Sequence, residues 1–450
     1  MTRDTSADRP ALFHIYRAAT ALLAPFAFRK VAGKLAEHGV SPERQRERLG
    51  YASLPRPAST TADGTHKPLV WFHGASVGES LAALSLIDKL LPRLPQAEFL
   101  LTSGTASSAD MMAKRLPERC RHQFAPLDAS GPVRRFLSHW KPDAALFVES
   151  ELWPVTLDAA KREGCKLALV NARLSAKSIE RWKSKPAVAA FVMQQFDVLL
   201  SQNPEMGESL IELGASAERV HPSGNLKAGS APLPVDRAAL EAVRTALGRR
   251  RVWIASSTHR GEEQAVIAAH KALLETDPSL CLLLAPRHPE RADEVADLIR
   301  NAGLTFAQRS KGEALTSDVQ IYLADTLGEV GTWYALSPIV FLGGSLAPIG
   351  GHNPFEVAQA GSAVLTGPGY SNFAETFPPL IAAGGAVEVQ DGQSLAAAVQ
   401  TWLSDCSALD QARDAARSVV LSQAAALDGV VDLLIETLNL QGPAPSRPRR

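Results

Sequence analysis

The sequence predicts an α/β protein built from two Rossmann-like domains, and three observations carry that prediction. At 450 residues the chain is long enough for two or three domains with sizeable cores. From residue 67 onward, short apolar runs of strand length alternate with longer stretches of helical period, the pattern of parallel strands joined by helices. The run Ala-Gly-Ser-Ala-Pro-Leu-Pro-Val, Ala228 to Val235, then has the composition of a linker and divides the alternation in two. The expected organisation is an amino-terminal helix with a basic flank over 1–50, one domain over 51–230, a second over 231–430, and a helix end with a disordered tail over 431–450.

The first element is the uncharged stretch Ala18 to Phe28, interrupted by Pro25 and extended backward through Arg17 and His14 to Leu12. Eleven residues are too few to cross a hydrocarbon core that needs about 20. A helix lying in the membrane interface fits better. No small-residue cleavage site follows, so a secretory signal is disfavoured. Between Arg29 and Arg48 six Lys/Arg face three Asp/Glu, a local basic surplus suited to anionic headgroups or simply to water.

The chain as a whole is balanced, with Lys+Arg 47 against Asp+Glu 47, which argues against a nucleic-acid partner. Cys120, Cys165, Cys281 and Cys406 form no C-x-x-C pair and read as buried thiols.

Strands are expected at Leu69 to His73, Glu98 to Thr102, Ala144 to Val148, Lys166 to Val170 and Asp197 to Leu200. In parallel α/β sheets ligands sit beyond the carboxyl ends of the strands, and two such sheets facing each other would enclose a cleft. After the first strand comes Gly74-Ala75-Ser76-Val77-Gly78-Glu79, a tight turn into a helix with Glu79 near its start. Glu79 is a candidate general base, or it only complements the helix dipole. The same residues match G-x-S-x-G, so a serine hydrolase built on Ser76 is an alternative, although that elbow normally follows several strands. Glu149 and Glu151 stand two residues apart after the Ala144 to Val148 run, as cleft carboxylates or a helix-start pair. Lys227, in Gly-Asn-Leu-Lys just before the linker, would lie at the cleft floor.

The second series of strands is expected at Val252 to Ala255, Leu280 to Ala285, Val319 to Leu323, Ile339 to Leu342, Ala363 to Thr366 and Ala386 to Val389. Arg287 and His288 follow a strand and suit an anion. In Gly343-Gly344-Ser345-Leu346-Ala347-Pro348-Ile349-Gly350-Gly351-His352-Asn353-Pro354-Phe355-Glu356, Asn353 is the expected N-cap and Pro354 the first helical residue. The N–H groups of that helix start would be ready for a phosphate. Asn353 and Glu356 also fit a simple capping arrangement. There is no P-loop, G-x-G-x-x-G, H-E-x-x-H or D-x-D, so no metal is expected to hold a nucleotide.

With these blocks in hand, the chain resembles the 3-deoxy-D-manno-octulosonic acid (Kdo) transferases, GT-B glycosyltransferases of lipopolysaccharide synthesis. The resemblance runs from about residue 10 to about residue 430 and rests on Trp71-Phe72-His73 through Glu79, Glu149-Ser150-Glu151-Leu152-Trp153-Pro154, Gly224-Asn225-Leu226-Lys227, Pro286-Arg287-His288-Pro289-Glu290-Arg291, Asp325-Thr326-Leu327-Gly328-Glu329 and the glycine-rich stretch ending at Glu356. It implies inverting transfer of Kdo from CMP-Kdo to the 6′-hydroxyl of a lipid A precursor (lipid IVA), at the cytoplasmic face of the Gram-negative inner membrane, with no cofactor. Glu79 matches the family's base. Ser76, Glu149, Glu151 and Lys227 fall on acceptor and cleft blocks, and Arg287, His288, Gly328, Glu329, Gly350, Gly351, Asn353 and Glu356 on blocks for CMP. Gly74 stands where the family usually has Ala, and Arg260 where it has an acidic residue. A GT-B transferase using another nucleotide sugar is the second reading.

Overall fold

The computed structural model describes residues 9–226 and 232–441. Lys227, the start of the linker and the end of the tail lie outside the described residues. The chain divides into two compact units, Met1–Ser230 with Ala425–Arg450, and Ala231–Ala424.

The sheet of the first unit has seven parallel strands: β1 (Leu69–His73), β2 (Glu98–Ser103), β3 (Cys120–Phe124), β4 (Ala144–Val148), β5 (Lys166–Ala172), β6 (Val198–Ser201) and β7 (Val220–Pro222). Their order is β3-β2-β1-β4-β5-β6-β7, so the winding reverses between β1 and β4. The central strands are unbroken apolar runs because both faces are covered. Leu69 and Trp71 enter one core with Phe136 and Phe147, while Val70 and Phe72 enter the other with Leu86 and Ile87. Each such side chain contributes about 1.5–3 kcal/mol by burial, so β1 is held from both sides.

The amino-terminal helix runs Ala11–Glu37, continuing through Pro25 and well beyond the expected stretch. Phe13 is buried against Phe191 with ring centroids 4.8 Å apart, and the Tyr16 hydroxyl donates to Asp128 Oδ2 at 2.9 Å. Leu35, near the other end, packs with Ala106, Ala109 and Phe124. Between these points Leu22, Leu23 and Phe26 are exposed.

The second unit carries β8 (Val252–Thr258), β9 (Cys281–Pro286), β10 (Phe306–Gln308), β11 (Ile321–Leu323), β12 (Ile339–Leu342), β13 (Ala363–Thr366) and β14 (Ala386–Glu388), again all parallel. The order β10-β11-β9-β8-β12-β13-β14 reverses between β8 and β12.

The sequence reading missed β3, β7 and β10. β3 reads Cys-Arg-His-Gln-Phe, without an apolar run, and β7 and β10 are three-residue edge strands. The last helix, Cys406–Thr437, also departs from the expected boundary near residue 430. Leu427, Val430, Val431 and Leu434 are buried in a core of the first unit, and Lys89 and Arg93 pair with Asp428 and Asp432. Cys165 and Cys281 are buried as expected, whereas Cys406 is exposed.

Candidate functional site

In the first unit the candidate residues gather where the winding reverses, at the carboxyl ends of β1 and β4, the position at which open α/β sheets bind ligands. β1 ends at His73, and Gly74 to Ser76 turn the chain into the Val77–Arg93 helix. A Cβ on Gly74 would lie 2.8 Å from the Glu79 carbonyl carbon, so glycine permits this close turn. Ser76 is the N-cap, and Ser76 with Glu79 forms a reciprocal capping box. Glu79 Oε2 accepts from the Ala75 N–H at 2.6 Å and the Ser76 N–H at 3.2 Å. Both bonds fall on one oxygen. Burial, and then the negative charge of Glu151, raise the Glu79 carboxyl above its ordinary range despite these N–H groups.

Ser76 does not form a nucleophile elbow. Its backbone is extended, at φ −100° and ψ 170°, and its Oγ accepts from the Glu79 N–H at 3.3 Å. The nearby His73 instead directs Nε2 at Glu151 Oε2, 2.9 Å away.

Glu151 is buried and also accepts from Trp153 Nε1 at 2.6 Å. Burial works against its charge, but the bonds from His73 and Trp153 and the positive charge of Arg48 outweigh it and hold the carboxyl below the usual range. Glu149 sits at the strand end with φ +58° and receives a 3.3 Å bond from Asn171 Nδ2. The two carboxylates are therefore not a helix-start pair. Glu151 belongs to β1 through His73, and Glu149 to β5 through Asn171.

In the second unit Arg287 and His288 follow β9, and the glycine-rich stretch follows β12. They meet around His259, which sequence reasoning did not single out. Its ring lies 5.5 Å from that of His288 and stacks at 5.2 Å on that of His352, with the two Nε2 atoms 2.9 Å apart. Burial first, then the positive surroundings of His259 and Arg287, push His352 down to about 4.

The glycine-rich stretch behaves differently from expectation in its first half. The buried Glu262 carboxylate accepts from the N–H groups of His259 (2.9 Å), Gly344 (2.7 Å), Ser345 (2.9 Å), Leu346 (2.8 Å) and Ala347 (3.4 Å). Those amides are occupied by a protein anion. Gly343 fits because a Cβ there would come within 3.0 Å of Glu262 Oε2.

In the second half, Gly350 and Gly351 have φ of +104° and +78° and pack against Asn372 and Tyr370. Asn353 caps the Pro354–Gln359 helix by accepting from the Phe355 N–H, and its Nδ2 donates to Glu356 Oε1 at 3.2 Å. With only six residues this helix offers a weak dipole.

Gly328 and Glu329 follow β11, and the Glu329 carboxylate takes both Nη2 (2.7 Å) and Nε (3.2 Å) of Arg309 and the Thr326 hydroxyl. The Arg309 bonds hold it below the usual range. Arg260 is exposed and pairs with Glu294 at 2.8 Å, which answers its changed sign locally.

Two all-parallel seven-stranded sheets, each with its candidate residues beyond the carboxyl ends of its strands, define a GT-B glycosyltransferase architecture. The solved structure of UDP-GlcNAc 2-epimerase from Neisseria meningitidis bound to UDP-GlcNAc has the same fold, with a TM-score of 0.55 over 83% of this chain and 99% of that one at 13% identity. Residues 43–230 match the family model described as 3-Deoxy-D-manno-octulosonic-acid transferase (kdotransferase). The 3-deoxy-D-manno-octulosonic acid transferase of Rickettsia felis is 32% identical over 82% of this chain and 80% of its own length. That of Haemophilus influenzae is 32% identical over 87% and 91%. The chain belongs to the Kdo transferase family and is an enzyme of that class.

Proposed function

We propose that the enzyme moves Kdo from CMP-Kdo to the 6′-hydroxyl of a phosphorylated lipid A precursor, with inversion at the anomeric carbon. The observation that carries this is Glu79, a carboxylate with a raised pKa whose two N–H bonds both fall on Oε2. Oε1 is left to take the proton of an acceptor hydroxyl. As that hydroxyl oxygen bonds to the anomeric carbon, the bond from that carbon to the phosphate breaks and its electron pair leaves with CMP. An inverting displacement needs only this one base on the attacking side. The departing charge is a single phosphate, which Arg287, with His288 and the Gly350, Gly351 and Asn353 turn, would stabilise in the second unit. Gly328, Glu329 and Glu356 would complete the nucleotide contacts, Glu329 already being fixed by Arg309. Glu149, Glu151 and Lys227 belong to the acceptor side.

The amino-terminal helix supports a membrane role. It is long and apolar enough to cross a bilayer by length and composition. Yet Phe13, Tyr16 and Leu35, 22 residues apart from first to last, all pack on the first unit. A helix tied down near both ends lies on the membrane, with Leu22, Leu23 and Phe26 in the interface at the cytoplasmic face.

The test is transfer itself. Purified protein is incubated with lipid IVA and CMP-Kdo generated in situ, in detergent with EDTA, and the lipids are read by mass spectrometry. A gain of one or more Kdo masses is the expected result. No gain with EDTA or with added magnesium, while CMP still binds, would overturn the acceptor or donor assignment.

A further inference from the structure

A pocket of about 80 Å³ opens in the first unit at the carboxyl ends of β1, β2 and β4, lined by Arg48, His73, Ala75, Gly104, Asp128 and Trp153 among others. That is room for one small group, not for a whole sugar. Arg48 comes from the short turn Arg46–Leu49 at the end of the basic flank. Its Nη1 donates to the Ala125 carbonyl at 2.5 Å, while its Nε is buried without any hydrogen-bond partner. Burial pushes this guanidinium down to about 10, and the charge of Glu151 only partly offsets that.

The neighbouring carboxylates are already committed. Glu151 is taken by His73 and Trp153. Asp128 accepts from the Thr156 N–H (2.7 Å), the Thr156 hydroxyl (2.6 Å), the Val155 N–H (3.3 Å) and the Tyr16 hydroxyl (2.9 Å). A buried cationic donor with no acceptor is unfavourable, and a guanidinium fork matches the oxygens of phosphate and carboxylate. Of the aromatic residues on its wall, Trp71 and Phe147 are fully buried and Trp153 is exposed. Ala75, on the same wall, is the residue whose N–H holds Glu79.

We propose that this pocket is a subsite for an anionic substituent of the acceptor sugar, a phosphate or carboxylate oxygen accepting from the Arg48 guanidinium, and that it positions the acceptor beside Glu79. The proposal rests on the reading of the first unit as the acceptor side. Phosphate would come from the phosphorylated precursor, and carboxylate from a Kdo unit already attached to it.

The full chain is titrated with inorganic phosphate and, separately, with free Kdo, following tryptophan fluorescence from Trp71 and Trp153 in the wild type, Arg48→Gln and Arg48→Lys. We expect saturable binding weakened at least tenfold in Arg48→Gln and less in Arg48→Lys, and the anion that shows this difference identifies the source. In transfer assays Arg48→Gln should raise the KM for the acceptor bearing that anion at least tenfold, with little effect on the acceptor lacking it or on the donor KM. Identical titrations in wild type and variants, or equal losses with both acceptors, would overturn the subsite. Arg48→Lys preserves the charge and serves if Arg48→Gln does not fold. Because the titration requires no turnover, Arg48-dependent anion binding without transfer to any lipid would reject the acceptor reading and leave the subsite standing.

Discussion

His73 Nε2 and Glu151 Oε2 lie 2.9 Å apart across the junction of β1 and β4, and this contact reaches Glu79 through charge. By keeping Glu151 below the usual carboxyl range, His73 helps maintain a negative charge that raises Glu79. Burial is the larger cause for Glu79 and would survive removal of that charge. Glu151→Gln is therefore expected to move the acid limb of the pH profile of kcat/KM to lower pH, by less than the full displacement of Glu79. An unmoved limb, or one moved to higher pH, would contradict the coupling.

Glu79→Gln keeps an oxygen for the Ala75 and Ser76 N–H groups but cannot take a proton. Transfer should fall by about 10²–10⁴, the usual worth of a positioned general base, while CMP affinity and the melting temperature change little. Since the Glu79 pKa is raised, wild-type activity should decline as pH falls through a value above the ordinary carboxyl range. Near wild-type turnover in the variant would remove Glu79 from the mechanism.

The five N–H groups around Glu262 make it the pin of the glycine-rich stretch. Glu262→Ala leaves several buried donors unpaired, at about 1–3 kcal/mol each, so the second unit should lose at least ~3 kcal/mol. Glu262→Gln, with one accepting oxygen, should fall between. Denaturant unfolding followed by Trp253 fluorescence reads the loss, and an alanine variant within about 1 kcal/mol of wild type would show that the pin is dispensable.

His122 and His270 are buried in their neutral forms. His122 accepts from Arg44 Nη2 at 2.9 Å, and burial with that positive charge pushes it down to about 3. His270 accepts from Trp253 Nε1 at 3.2 Å, and burial pushes it down to about 4. Below the unfolded value of about 6.5 the unfolded chain takes up protons that the folded chain refuses. Stability should therefore be lost progressively from about pH 6.5 down to about 4, by as much as ~1.4 kcal/mol per pH unit for each histidine. His270→Gln should flatten that slope in a series of unfolding curves, and an unchanged slope would assign the acid sensitivity elsewhere.

Apolar runs such as Leu69 to His73 and Ile339 to Leu342 were legible in the sequence because central parallel strands are buried on both faces. So were the turns that place Glu79, Arg287 and Asn353 just beyond strand ends. The His259–His352 pair, the Glu262 anchor and Arg48 were not, since each depends on residues 82 or more positions apart, or on a side chain entering a pocket that no local pattern marks. Pro25 misled for a related reason. Helix propensity predicts an interruption, and packing of Phe13 and Leu35 at the two ends keeps the helix continuous.

That packing also decides how the amino-terminal helix should meet a bilayer. At 1.5 Å per residue, its 27 residues span about 40 Å, ample for a crossing. Crossing, however, would require pulling Phe13 away from Phe191 and breaking the Tyr16 bond to Asp128, or releasing Leu35. Burial of a large apolar side chain contributes about 1.5–3 kcal/mol, so docking opposes insertion at either end. Leu22→Asp with Phe26→Asp, both at exposed positions, should abolish sedimentation with anionic vesicles while leaving the melting temperature and soluble-donor binding unchanged. In a Cys406→Ser background, which removes the exposed native thiol, a cysteine placed at position 23 should stay reactive to a membrane-impermeant maleimide added on the protein's side only in the absence of vesicles, whereas one at position 11 should react with or without them. Loss of labelling at position 11 on vesicle binding would mean that the helix detaches and inserts end-on.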